Sequence, residues 1–261
     1  MTRVRDPIHD YIDLTPLEVK LVDTPAYQRL RWIRQLSCAN LVYPGANHTR
    51  HEHCMGTCHV VGRMADSVGL DSHDSQLVSV AGLLHDLGHT PFGHVGEAVL
   101  DNLYPNGFRH ADQSIRIVES IEKEGKGLNL TQQVRQGIAN HSKPQGDFFG
   151  NKMPASLSLE GQICRVSDAI AYLNHDLGDA FRSGVLSPNE IPKEIIDILG
   201  NTHDSICSRC RKVTTLVGCL PTKLVLVKSS PTISRFYSYH SCNPIDLYLE
   251  SRIIGSATFC S

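Results

Sequence analysis

The stretch LLHDLGHTPFGH at residues 83–94 places three histidines and one aspartate within twelve residues. An ionised Asp86 among apolar neighbours is costly unless it is paired or binds a metal ion. The positions three and four residues away on either side hold no cation, so its partner must come from another part of the chain. Two interpretations remain open here: a metal centre that includes His85 and Asp86, and a buried ion pair with a distant arginine.

Further candidate ligands lie in two other segments. The segment HTRHEHCMG, residues 48–56, offers three histidines. The segment RVSDAIAYLNHDLGD carries Asp168, and Tyr172 and Asp176 follow at steps of four, which places all three on one face of a helix. A mixed set of imidazole and carboxylate donors suits Mn, Fe, Zn or Mg, depending on geometry and open positions.

The elements that must position these residues are predicted to be helical over the first 200 residues. A Ser or Thr precedes a proline at three helix starts, and Glu18 and Glu190 complete capping boxes at the first and third. At the second start, Thr24, only the cap and the proline are predicted. Apolar spacing predicts further helices at 53–69, 74–88, 93–104, 110–124, 131–141 and 158–181. Pro91 ends the second of these or breaks it just beyond His89. No run before residue 200 predicts a strand.

The composition changes after Gly200, where β-branched and aromatic residues partly alternate. We predict a mostly α fold with a core at residues 1–200. Residues 201–261 form a Cys-rich, basic segment, either a small β-containing appendage or a poorly packed end. It holds seven Lys and Arg against three Asp and Glu, as a solvated surface or a phosphate-contacting surface would. The nine cysteines of the chain, five of which lie in this segment, are interpreted as thiols. The alternative is a zinc site that uses Cys207 and Cys210, with Cys219 and Cys242 as further candidates.

The sequence gives no sign of a membrane partner. No apolar run approaches the roughly 18–20 residues that a membrane helix needs. The first fourteen residues, MTRVRDPIHDYIDL, lack the apolar centre of a signal peptide. We therefore expect a cytoplasmic protein.

The ordered set His53, His85–Asp86 and Asp168 resembles the HD-domain phosphohydrolase superfamily. The blocks at 6–36, 44–56, 85–97, 108–117, 137–142 and 159–186 are similar to its deoxynucleoside triphosphate triphosphohydrolase branch, the dGTPase-like enzymes. The resemblance covers roughly residues 4–187 and implies an HD-domain helical bundle. In such enzymes further helices follow that build base recognition and oligomer contacts, and nothing after about Gly200 resembles that region.

The resemblance implies a role for each matching residue. The implied metal ligands are His53, His85, Asp86 and Asp168. The implied catalytic group is His94, Glu97 and His110, in which a carboxylate orients an imidazole that transfers a proton. The implied substrate contacts are Gln35, Arg50, His89, Tyr172 and Asp176. Of these, Arg50 and His89 would face the phosphates and the other three the deoxyribose. The remaining histidines of the motifs have no chemical role in this interpretation: His48, His51 and His59 are taken as structural or near the mouth of the site, and His141 and His175 stay unassigned.

The reaction implied is hydrolysis at the α-phosphorus of a dNTP, which yields a deoxynucleoside and inorganic triphosphate. It would use one divalent ion (Mn, Mg, Fe or Zn), with an additional Mg²⁺ on the triphosphate as an option, in a homo-oligomer. Other HD-type activities remain as alternatives: a nucleotidase, a phosphodiesterase or a single-strand exonuclease. The alternative outside enzymology is a regulatory module that binds single-stranded nucleic acid and keeps the metal cage as structure.

Overall fold

The computed structural model of the chain describes residues 2–142 and 157–184, positions 187, 189 and 193, and two segments at 217–220 and 223–226. Within these residues the fold is mostly helical, as predicted. The α-helices are α1 Pro16–Val22, α2 Pro25–Arg29, α3 Ala39–Val42, α4 Arg50–Val68, α5 Ser72–Leu84, α6 Gly93–Leu103, α7 His110–Ser120, α8 Gln132–Asn140 and α9 Leu159–Ser183, with a 3-10 helix at Leu30–Trp32. None of the helices in the described part is long and apolar enough to cross a membrane.

The helix starts follow local capping chemistry, with one correction. Thr15 and Glu18 form the predicted capping box of α1. Thr24 is the N-cap residue of α2 and Pro25 follows it, as predicted, but the Thr24 hydroxyl donates back to the carbonyl of Leu21 at 2.7 Å and makes no cap hydrogen bond to α2. A second capping box, Thr49 with Glu52, begins α4 three residues before the predicted start at 53. The predicted start at Ser187 lies almost entirely outside the described residues.

Helix α5 ends at Leu84, four residues before its predicted end. The reason lies in contacts from other helices. The hydroxyl of Ser114 on α7 donates to the carbonyl of His85 at 2.7 Å and accepts from the amide of Gly88 at 2.8 Å. The guanidinium of Arg29 donates to the carbonyls of Leu87 and His89 at 2.7 and 2.9 Å. These partners satisfy backbone groups that a longer helix would use, so the chain leaves the helix at His85.

The prediction that no strand precedes residue 200 is wrong. Strands β1, Thr2–Asp6, and β2, Asp10–Leu14, form an antiparallel hairpin. The carboxylate of Asp6 accepts from the amides of Ile8 and His9 at 2.8 and 2.7 Å and shapes the turn. Ile12 and Leu14 point into the core. Each strand has five residues, too few to show alternation in the sequence, and pairing across the turn stabilises them.

The core lies where α4, α5 and α9 pack together, with α8 against α5 and α9. Tyr27, Leu30, Leu84 and Ile138 are fully buried in it, and each such side chain contributes about 1.5–3 kcal/mol through apolar burial. The cysteines whose side chains are described are free thiols, in agreement with the sequence interpretation. The packing of α4, α5 and α9 also sets the place of the candidate site, because each of these helices carries a predicted metal ligand.

The C-terminal segment contains the β-structure that its composition suggested. Strand β3, Val217–Leu220, pairs antiparallel with β4, Lys223–Leu226. The candidate zinc cysteines lie outside the described residues, except Cys219, of which only the backbone in β3 is described. The boundary at residue 200 therefore stays a prediction.

Candidate metal centre and adjoining histidines

The four predicted metal ligands meet where α4, the end of α5 and α9 converge. His53 lies in the first turns of α4, and its Nε2 is 2.9 Å from Oδ1 of Asp168 on α9. His85, at the end of α5, has its Nε2 3.4 Å from the same oxygen and 3.6 Å from Oδ1 of Asp86. The structure thus brings two imidazoles and two carboxylates from distant parts of the chain to one point.

The donor atoms of this centre fit a divalent cation. The Nδ1 of His85 is 2.8 Å from the carbonyl of Gly82. Because a carbonyl only accepts, Nδ1 carries the hydrogen and Nε2 presents its lone pair to the centre. This buried Nε2 has no hydrogen-bond partner among the described residues. Two carboxylates with neutral imidazole donors are a ligand set that Mn, Fe, Zn and Mg accept.

The electrostatics of the centre favour positive charge. Burial alone lowers the pKa of His85, but the carboxylates of Asp86 and Asp168 outweigh it and raise the pKa to about 9. Burial raises the pKa of both carboxyl groups, yet their histidine neighbours hold both pKa values well below the usual range. The carboxylates of the centre therefore favour a positive charge beside them, which a proton on His85 or a bound cation could supply.

Asp86 also has the arginine partner that the sequence left open. The guanidinium of Arg50, at the start of α4, forms a buried ion pair with Oδ2 of Asp86. Both interpretations of Asp86 thus find their residues in the fold: it lies beside the predicted ligands and opposite a distant arginine. The role of Arg29, which fixes the turn after Asp86 through two carbonyls, had no signal in the sequence beyond its place at the end of α2.

The predicted catalytic group lies directly beside this centre. Glu97 bridges two imidazoles: its Oε1 is 2.7 Å from Nδ1 of His110, and its Oε2 is 3.1 Å from Nδ1 of His94. Burial raises the pKa of Glu97, but the hydrogen bonds from His110 and His94 outweigh it, so the pKa is lowered. The hydrogen bond to Glu97 in turn raises the pKa of His94. The ring of His94 is mostly exposed, with 73% of its side chain accessible.

His89 lies between the two groups. Its ring stacks on His110 with centroids 4.6 Å apart and meets the edge of His94 at 5.3 Å. Burial and the charge of Arg50 lower its pKa well below the ordinary value. The ring is therefore neutral and can donate one hydrogen bond without adding charge.

His141 is the residue that the sequence interpretation left without a role and that the structure brings to the centre. It follows the last residue of α8, and its Nε2 is 3.0 Å from Nε2 of His110 and 3.6 Å from Oδ1 of Asp86. Its ring meets the edge of His85 at 4.7 Å. The only signal in the sequence was its place within one of the matching blocks.

The predicted sugar contacts are only partly described. Gln35 donates its backbone amide to the carbonyl of His48 at 3.1 Å, and its buried side-chain oxygen has no partner among the described residues. Tyr172 lies in α9, one turn after Asp168, and is partly buried. Asp176 follows on the same helix, but its side chain lies outside the described part.

Of the other histidines, His48 and His51 contact residues outside the set of four predicted metal ligands. The Nδ1 of His48 lies 2.6 Å from Oδ2 of Asp179 on α9, and the ring of His48 stacks on His175 at 5.1 Å. His51 packs edge-on against Tyr27, and burial together with Arg31 lowers its pKa to about 4. These contacts fit the structural role expected for His48 and His51.

Comparison with known proteins agrees with this geometry. The HD domain matches residues 50–173. The chain is 43% identical over 186 residues to a "Deoxyguanosinetriphosphate triphosphohydrolase-like protein" of Caldanaerobacter subterraneus, which covers 70% of this chain and 50% of that protein. A protein of the same name from Leptospira interrogans is 35% identical over 246 residues, 91% of this chain and 60% of the relative. A solved phosphohydrolase from Bacteroides thetaiotaomicron has the same fold, with a TM-score of 0.61 at 23% identity over 86% of this chain and 49% of that one. The chain spans about half the length of the first two proteins.

Proposed function

The chain belongs to the HD-domain family, and we propose that it is a metal-dependent phosphohydrolase that cleaves a deoxynucleoside triphosphate to deoxynucleoside and inorganic triphosphate. The proposal depends on one observation: the side chains of His53, His85, Asp86 and Asp168 lie together. Beside them lie Arg50 and the pair His94 and His110, which Glu97 bridges. The names of the relatives support a deoxynucleoside triphosphate as the substrate.

The ligands of the proposed cation are His53, His85, Asp86 and Asp168. When bound, a divalent cation supplies Lewis acidity toward a phosphoryl oxygen and acidifies water. The chain keeps His85 in the tautomer that offers Nε2, through the Gly82 carbonyl. It also keeps both carboxylates ionised through their histidine neighbours.

The phosphates would lie on the Arg50 and His89 side of the centre. The guanidinium of Arg50 is permanently charged and can bind two oxygens, which suits the α-phosphate. His89 is neutral, with its Nδ1 3.4 Å from the carbonyl of Thr90, and adds no charge that competes with the cation. The two side chains are held apart from bulk water, since both are buried.

The proton needed by the leaving group would come from His94. Hydrolysis at the α-phosphorus breaks the bond to the 5′-oxygen of the nucleoside, and that oxygen must receive a proton. The exposed ring of His94 can reach a substrate, and the hydrogen bond to Glu97 raises the pKa of His94, which favours the protonated form that a proton donor needs. We propose that Glu97 orients both His94 and His110 in this group.

The sugar would be held by Gln35, Tyr172 and Asp176. The side-chain oxygen of Gln35 is buried without a partner among the described residues and can accept from a 3′-hydroxyl. Tyr172 lies one helical turn from Asp168, and we propose that it packs under a deoxyribose, where an added 2′-hydroxyl would clash.

Product analysis tests this proposal. The full chain is incubated with Mn²⁺ or Mg²⁺ and each dNTP in turn, and products are separated by ion-exchange chromatography. We expect deoxynucleoside and inorganic triphosphate in equal amounts. Release of dNDP or dNMP would contradict the triphosphohydrolase assignment and favour another HD-type activity. Release of dNMP from single-stranded DNA would identify the exonuclease alternative.

Two variants connect the products to the site. Asp168→Ala removes a ligand that both His53 and His85 contact, so bound metal and hydrolysis should be lost together. His73→Ala removes an exposed histidine at the other end of α5, and should change neither. Equal activity of the two variants would show that hydrolysis does not use this centre.

A further inference from the structure

Two short segments that carry proposed substrate contacts pair with each other. The backbone amide of Gln35 donates to the carbonyl of His48 at 3.1 Å, and the amide of Arg50 donates to the carbonyl of Ile33 at 2.8 Å. An isolated β-bridge joins the two segments between these hydrogen bonds. A displacement of His48 is therefore passed to Gln35, the proposed sugar contact, because the paired backbones move together.

The side chain of His48 connects this pair of segments to α9. Its Nδ1 lies 2.6 Å from Oδ2 of Asp179, and both atoms are buried. A nitrogen without a hydrogen would repel the carboxylate at this distance, so Nδ1 carries the hydrogen. The other carboxylate oxygen of Asp179 forms an ion pair with Arg182, and the His48 ring stacks on His175 with centroids 5.1 Å apart. The His48 ring is thus held by two side chains of α9, one at its edge and one at its face.

Asp179 lies on the helix that carries the other side of the proposed sugar site. Tyr172 precedes it on α9 by about two helical turns, so the two residues share a face of the helix. The contact between His48 and Asp179 therefore connects Gln35, on one segment, to Tyr172, on another. This contact fixes the separation between the two proposed sugar contacts.

We propose that Asp179 is a positioning residue that, through His48, sets the width of the sugar site and thereby the preference for deoxyribose over ribose. The inference rests on the proposed function, because it takes Gln35 and Tyr172 as the sugar contacts. A site that a 2′-hydroxyl would overfill discriminates only while its walls stay fixed, and a site that can widen accepts the larger ribose. Asp179 acts through His48 and takes no part in the reaction itself.

The preference for deoxyribose tests this link separately from stability. The value of kcat/KM is measured for each dNTP and for the NTP with the same base, in the full chain with Mn²⁺. The ratio of the two values does not depend on the fraction of folded protein, so a variant that only destabilises the fold leaves the ratio unchanged. We expect Asp179→Ala to lower the ratio about 10-fold and to raise KM for the dNTP by about the same factor, with kcat changed less.

Further variants identify the path from Asp179 to the sugar site. His48→Ala should lower the ratio as Asp179→Ala does, and the double variant should lower it no further, because both changes remove the same contact. His48→Asn should retain the ratio, since the amide nitrogen of the new side chain takes the place of Nδ1 and can donate to Asp179. Arg182→Ala removes the exposed partner of Asp179 and is the matched control, for which we expect an unchanged ratio.

Two results of these assays would overturn the proposal. One is an unchanged ratio in both Asp179→Ala and His48→Ala. The other is a double variant in which the two effects multiply, since Asp179 and His48 would then act independently.

Equilibrium binding separates this inference from the proposed function. Calorimetry with Ca²⁺ in place of Mn²⁺ compares the binding of each dNTP with that of its NTP and needs no hydrolysis. If the unmodified protein hydrolyses no dNTP but binds deoxyribonucleotides more tightly, and Asp179→Ala loses that preference, the proposed function is overturned and the link is supported. If the unmodified protein shows no preference in either assay, the contact has no role in sugar selection and the inference is overturned.

Discussion

Gly88 marks the closest approach between the Asp86 turn and α7, and a methyl group there should push the two apart. It would lie 2.3 Å from the carbonyl oxygen of His110 and 2.3 Å from the amide nitrogen of Ser114, whereas ordinary contact begins near 3.4 Å. The clashing atoms are backbone, so α7 as a whole must move by about 1 Å. We therefore predict that Gly88→Ala damages both stability and the site.

The magnitude follows from what the shift breaks. Overpacking costs about 1–3 kcal/mol, and the two hydrogen bonds of the Ser114 hydroxyl, to Gly88 and His85, contribute about 1 kcal/mol each. We expect a loss of about 3 kcal/mol in the free energy of unfolding, measured by urea denaturation. Because His110 begins α7, its ring moves with the helix, and a misplacement of about 1 Å can lower the rate about 100-fold.

Gly62→Ala is the matched control for this prediction. Gly62 lies within α4 and a methyl group there meets no atom within 4 Å. Replacing a helix-interior glycine should raise the free energy of unfolding by about 0.5–1 kcal/mol and leave the rate unchanged. If Gly88→Ala stays within about 0.5 kcal/mol of the unmodified protein and keeps its rate, the packing of α7 on the Asp86 turn is not as described.

Three further predictions concern the surroundings of the site. Arg50→Met removes the arginine partner of the buried Asp86 carboxylate and should cost about 3–5 kcal/mol in chelator but less with Mn²⁺, as thermal unfolding in both conditions would show; equal losses would contradict the argument. Glu97→Gln removes the cause of the raised pKa of His94. If the His94 ring must be protonated for catalysis, activity is lost as pH rises through its pKa. The alkaline limb of the pH profile of kcat/KM should therefore move to lower pH in Glu97→Gln. An unchanged alkaline limb would exclude His94 as the acid. Thr49→Ala should cost about 1 kcal/mol in urea denaturation, whereas Thr24→Ala, which removes no cap hydrogen bond, should cost less than half as much; similar losses would contradict the capping assignment.

Most helices could be predicted because their signals are local. The capping box at Thr15 and the apolar spacing of α6, α8 and α9 depend on residues within a few turns of one another. The end of α5 could not be predicted, because Ser114 and Arg29, which satisfy the backbone after Leu84, are far away in the sequence. The N-terminal hairpin was missed for a different reason: its two strands have only five residues each, too few to show alternation, and they are stabilised by pairing with each other.

For the candidate site, too, the local features could be predicted from the sequence and the long-range contacts could not. The sequence by itself determined which residue types stand in which order, and the order of His53, His85–Asp86 and Asp168 was enough to indicate a metal centre. Only the tertiary structure decided that Arg50 pairs with Asp86 and that His141 meets His110 at 3.0 Å. The physical reason is that distances between side chains on different helices depend on how α4, α5, α7, α8 and α9 pack, and no local pattern records that packing.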